Sequence, residues 1–95
     1  MRAHKIDGNQ SEIVGKLRDL GCSVAITSGL ADGFPDIVVG AKGRNFMFEL
    51  KDPKASNQRK QLTPEQVEFH ANWKGQIAKV ETLEEILAIM TEYLK

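Results

Sequence analysis

The sequence is short of several things, and each shortage narrows what the chain can be. It has one cysteine, Cys22, so no disulfide can form within the chain, which suits a reducing compartment. It has no surplus of charge: thirteen Lys and Arg balance thirteen Asp and Glu. A polyanionic partner would therefore have to be met by a local basic patch and not by a global field. No segment approaches the ~20 apolar residues of a membrane-crossing helix. The opening stretch, residues 1–10, also lacks the apolar run of a secretory leader, so an intracellular, soluble protein is expected. With 95 residues there is room for one modest core and not for two; residues 1–95 are read as a single domain, with a site on an open face more plausible than a deep cavity.

The patterning that remains reads as a small α/β domain. Asn9 stands three residues before Glu12, and Ile13, Val14, Leu17 and Leu20 recur at helical spacing until Gly21 ends the run. A short β-branched strand follows over residues 22–28, then a glycine-bearing loop over residues 29–34 that could move. Pro35 leads into an apolar strand, a tight turn at residues 42–44 reverses the chain, and residues 45–51 form the next strand. Residues 52–62 have no apolar periodicity and read as a loop. Thr63, Pro64 and Gln66 make a strong helix start; Val67, His70, Ala71 and Trp73 carry that helix to Lys74. A last strand near residues 76–81 precedes a helix with an apolar stripe of Leu83, Ile86, Leu87, Met90 and Leu94. The order is αβββαβα. A hairpin between the second and third strands and a helical crossover to the fourth predict a mixed sheet flanked by helices.

Within this frame, three charged residues stand where core strands are expected. Glu49 and Lys51 are two apart and share a face with Met47, while Phe46, Phe48 and Leu50 take the other. Asp36 begins the preceding strand, and the hairpin would bring it beside Glu49. Two carboxylates and the main-chain carbonyl of Leu50 are the hard oxygen ligands that Mg²⁺ prefers. A cation held there would polarise a phosphate, with Lys51 orienting water or neutralising charge developing on phosphorus. An acid and a lysine two apart are also common on solvated strands, so the strand context and Pro35-Asp36 matter as much as Glu49-Leu50-Lys51.

Together, Pro35-Asp36, Glu49-Leu50-Lys51 and the αβββαβ order resemble the PD-(D/E)XK nuclease superfamily, which has a restriction-endonuclease-like core. The phrases at residues 33–39 and 48–51, with Leu62-Thr63-Pro64-Glu65-Gln66 opening the next helix, look more narrowly like a stand-alone virus-type replication-repair nuclease (VRR-NUC) domain. The resemblance spans roughly residues 11–80. It implies a Mg²⁺- or Mn²⁺-dependent endodeoxyribonuclease of phage or bacterial cytoplasm, with Asp36 and Glu49 as metal ligands and Lys51 as the charged catalytic group. It also implies a homodimer that cuts branched DNA such as four-way (Holliday) junctions in repair.

Two residues carry competing readings. Glu12 matches the family's helical glutamate that completes the metal site, directly or through water, yet it also fits a capping box with Asn9. Gln66 matches a family glutamine near the lysine, yet it also fits a capping box with Thr63. One side chain is expected to serve one geometry, not both. Lys54, Arg59 and Lys60 give residues 51–60 a local positive charge suited to DNA phosphates, though a solvated loop would look the same. His4 and His70 have no spaced partner for zinc or a catalytic dyad and are assigned no role. Trp73 is expected in core or interface. Two other readings stay open: a non-catalytic DNA-binding or assembly module with a structural ion-pair network, and a sequence-specific restriction-type nuclease, for which so short a chain has little surface.

Overall fold

The computed structural model describes residues 9–95; His4 lies outside them. The elements are α1 (Gln10–Asp19), β1 (Ser23–Ile26), β2 (Ile37–Ala41), β3 (Arg44–Leu50), α2 (Asn57–Lys60), α3 (Pro64–Asn72), β4 (Ala78–Val80) and α4 (Leu83–Tyr93). The sheet runs β1-β2-β3-β4. Its first two pairings are antiparallel and β3–β4 is parallel, the mixed sheet that the short turn and the crossover predict.

Local chemistry sets the joints. Gly21, at φ +96°, closes α1: its N–H donates to Arg18 O at 3.0 Å and that of Cys22 to Leu17 O at 3.0 Å, the paired bonds of a Schellman cap. Between β2 and β3, Lys42 and Gly43 both take positive φ, 53° and 80°, as a two-residue turn requires if it is to match the twist of its strands. Ala41 and Arg44 pair directly across it.

The two faces of the sheet are unequally covered. Ile37, Val39, Phe46, Phe48 and Leu50 pack with Ile13, Val14 and Leu17 of α1 and with Ile86 and Met90 of α4 in one dry cluster. The apolar stripe of α4 is thus spent on the core, with Leu83, Leu87 and Leu94 packed against the same cluster. The opposite face carries Met47 and Glu49; α3 reaches it through Gln66 and buries no residue of its own. Val67, expected to help fix that helix, is 52% exposed.

Two local expectations fail. Residues 57–60 are not loop but the one-turn helix α2, capped by Ser56, whose Oγ accepts from Arg59 N–H at 3.3 Å. Asn9 flanks α1 but its side chain makes no capping bond. Its amide instead donates to Glu81 O at 2.9 Å and Lys51 O at 3.4 Å, tying the start of α1 to the ends of the parallel strands. The expected Asn9–Glu12 capping box is therefore not formed. The glycine-bearing loop approaches α3 closely: Gly33, at φ +79°, lies so near the first turn of that helix that a Cβ there would stand 2.6 Å from Glu65 O.

Candidate active site

Asp36 enters the sheet irregularly. Ile37 pairs with Phe48, yet Asp36 N–H also donates to Phe48 O at 3.1 Å, so two residues of one strand meet one of its neighbour, as in a bulge. Asp36 Oδ2 then accepts Leu50 N–H at 2.8 Å, taking the place that a strand carbonyl would fill. The carboxylate is thereby fixed at the end of β3, on the backbone of Leu50, the residue between Glu49 and Lys51.

Glu49 is 3% exposed. Its Oε2 accepts Gln66 Nε2–H at 2.9 Å and lies 3.6 Å from Lys51 Nζ. Lys51 Nζ in turn donates to Gln66 Oε1 at 3.2 Å. Glu49, Lys51 and Gln66 close a triangle in which each side chain touches the other two. Burying an ion pair is costly unless its remaining polar atoms are satisfied, and the Gln66 amide meets both partners, donating to the acid and accepting from the ammonium.

Gln66 also completes the capping box of α3: its Oε1 accepts Thr63 N–H at 2.9 Å while Thr63 Oγ1 accepts Gln66 N–H at 3.3 Å. The expected choice between cap and site does not arise. A primary amide has separate donor and acceptor ends, and its oxygen accepts twice.

His70, passed over in the sequence, sits one turn beyond Gln66 on the side toward Lys51. Its pKa is lowered from 6.5, first by burial and then by the nearby Lys51 charge. Its Nε2 is buried without a hydrogen-bond partner among the described residues. The signal that could have found it is the four-residue spacing from Gln66, which sets both on one helical face.

The remaining candidates are placed elsewhere. Glu12 is exposed on α1 and paired with Lys16 at 3.0 Å. Lys54 and Arg59 are exposed. Lys60 is half-buried, with Nζ 3.5 Å from Glu81 Oε1, and its carbonyl accepts Lys79 Nζ–H at 3.1 Å, so α2 is stapled to the end of β4.

The donor chemistry fits a small hard cation. Asp36 and the backbone of Leu50 meet at the end of β3 next to Glu49, so the two carboxylates and the Leu50 carbonyl are all oxygen donors at one strand end, although among the described residues no group of three or more His, Cys, Asp or Glu could by itself hold a metal ion. Few protein oxygens with water completing the shell is how Mg²⁺ is commonly held, whereas a structural zinc site needs four N or S ligands.

This arrangement occurs on a fold already seen elsewhere. A solved structure described as a "VRR_NUC domain" superposes on the chain with a TM-score of 0.61, at 20% identity, covering 88% of this chain and 91% of that one. The chain has the VRR_NUC fold. The resemblance drawn from Pro35-Asp36 and Glu49-Leu50-Lys51 is thus borne out in architecture. No family model matches the chain, and no curated protein matches it either. Against the VRR_NUC fold, the cluster lies at the carboxyl end of the parallel strand pair β3–β4, where α/β sheets commonly open toward ligands.

Proposed function

We propose that the chain is a divalent-metal-dependent endodeoxyribonuclease. The observation that carries this is the convergence of Glu49, Lys51 and Gln66 in one hydrogen-bonded triangle, with Asp36 anchored to the backbone of Leu50 between the first two. Buried charge at a strand end is expensive, and a solvated strand pair would not need it. The VRR_NUC fold supports the same reading.

Asp36, Glu49 and the Leu50 carbonyl would hold Mg²⁺ or Mn²⁺, which supplies Lewis-acid polarisation of the scissile phosphate when bound. Lys51 presents its ammonium to the equatorial oxygens of the phosphate or to the attacking water. Water oxygen bonds to phosphorus, releasing a proton to solvent, as the bond to the leaving sugar oxygen breaks, and that oxygen takes up a proton from solvent. Gln66 keeps Lys51 and Glu49 in register. Lys54 and Arg59, both exposed, steer the DNA backbone toward this strand end, with Lys60 more restrained by Glu81; such contacts weaken steeply with salt. Glu12 acts at most through water, since its carboxylate is paired with Lys16.

The substrate we favour is branched DNA such as a four-way junction, cut by a homodimer in the cytoplasm of a phage-infected or bacterial cell. Symmetric incision needs two sites, and one protomer supplies one. The stripe of α4 faces the protomer's own core, which counts against its serving as the two-fold contact.

Cleavage of a labelled four-way junction, beside matched duplex and single strand, in Mg²⁺, Mn²⁺ and EDTA tests the reading. Metal-dependent, symmetric junction cutting that Lys51→Ala abolishes is expected. Folded protein that binds Mn²⁺ calorimetrically but cuts nothing would overturn the activity. DNA binding with no Mn²⁺ uptake would favour the non-catalytic module, in which the triangle is purely structural.

A further inference from the structure

The outward side of α3 has chemistry opposite to that of the basic stretch at residues 51–60. Glu65, Glu68, Phe69, Asn72 and Trp73 recur at helical spacing and, with Asp32 from the glycine-bearing loop, line a groove of about 340 Å³. Its wall is aromatic and preformed. Trp73 stacks on Phe69 with ring centroids 5.3 Å apart and planes 14° from parallel. Phe34 meets Phe69 edge-on at 5.4 Å. At Gly75 a Cβ would stand 3.0 Å from Trp73 Nε1, so the missing side chain lets the indole settle against the backbone. The indole nonetheless remains 42% exposed.

The rim is of one sign: among the described residues, Asp32, Glu65 and Glu68 are the charged residues in the lining. Asp32 adopts φ 66° and directly precedes Gly33, which approaches the first turn of α3. Three carboxylates around an aromatic wall repel a phosphate backbone, so this face is unsuited to DNA. They complement a cation, which an exposed indole also attracts through its ring quadrupole. A guanidinium fits better than an ammonium, because it is planar, stacks on aromatic faces and forks to carboxylates.

We propose that this groove docks an arginine side chain presented by a partner protein, with Trp73 and Phe69 as the stacking wall and Glu65, Glu68 and Asp32 as the anionic rim. None of these residues belongs to the Glu49–Lys51–Gln66 triangle, so docking and cleavage are separable.

Trp73 is the sole tryptophan, and its fluorescence reports from the groove itself. The test titrates the full chain with a capped hexa-arginine peptide, beside hexa-lysine and hexa-serine. A saturable change with hexa-arginine is expected, several-fold weaker with hexa-lysine, absent with hexa-serine, and weakened by salt. The triple variant Asp32→Asn, Glu65→Gln, Glu68→Gln, which alters only solvent-facing carboxylates, should keep its helix content and lose about tenfold in affinity. Calorimetry with Trp73→Ala should show the same loss by a route that does not need the fluorophore. Overturning results are no saturable response, equal affinity in the triple variant, or tighter quenching by a single-stranded oligonucleotide. A concentration-dependent change without peptide would equally overturn it, because it would give the groove to a second copy of the chain.

Discussion

Helices α3 and α4 begin with the same device and use it differently. Thr63 with Gln66 and Thr82 with Glu85 both form complete capping boxes. At α4 the Glu85 carboxylate receives the N–H groups of Glu81 and Thr82. At α3 the Gln66 oxygen receives Thr63 N–H and also Lys51 Nζ, while its nitrogen donates to Glu49. A carboxylate at residue 66 could cap equally well but could only accept, and would set a second negative charge against a buried one. The glutamine is thus what converts a helix start into one wall of a charged site.

The difference can be broken from the site outward. Lys51→Ala, the most severe change, should lower junction cleavage at least about a thousandfold if the lysine stabilises the transition state. Because it strands a nearly buried Glu49, it should also cost about 3 kcal/mol, seen in urea unfolding. Gln66→Glu keeps the box but reverses the chemistry at its far end; we expect about a hundredfold slower cleavage with helix content unchanged by circular dichroism. Equal rates for this variant and wild type would show that the amide's second bonding does not matter.

Removing the hydroxyls makes a milder test. Thr63→Ala and Thr82→Ala should each cost about 1 kcal/mol, a usual loss for an N-cap, and shift thermal midpoints by similar amounts. Only Thr63→Ala should also slow cleavage, by a few-fold, because it loosens the turn that aims Gln66. Glu85→Gln preserves an acceptor for the two N–H groups and should change stability by less than about 0.5 kcal/mol.

How much of this was legible depends on whether the signal was local. The hairpin turn, the Gly21 cap, the α3 start and the alternation of β3 are encoded within a few residues, and each was read from the sequence with its neighbours in place. The short helix α2 was not, because it buries no residue and so leaves no apolar period to detect. Asn9 looked like a cap, but its amide finds carbonyls at residues 51 and 81, far along the chain. The double duty of Gln66 was missed for a chemical reason: an amide was treated as a single contact when it has two ends. Trp73 was assigned to core or interface on composition. Trp73 is 42% exposed at the end of a helix that buries no residue of its own, so it is not in the core, a tertiary fact with no local mark.

The smallest expected effect concerns His70 and would sharpen what α3 contributes beyond Gln66. Burial and then the Lys51 charge hold its folded-state pKa below 6.5, so the native state resists taking the proton that the unfolded chain accepts. The unfolded state therefore binds more protons as pH falls below 6.5, and stability from this residue is full above that value and declines toward the folded-state pKa. Thermal midpoints measured across roughly pH 5 to 8 should fall on the acid side, and His70→Gln should flatten that part of the profile. Lys51→Ala, by removing the charge but not the burial, should flatten it only in part. If it instead removed the whole slope, the lysine and not desolvation would dominate, and His70 would be coupled to the site more tightly than its place one turn beyond Gln66 implies.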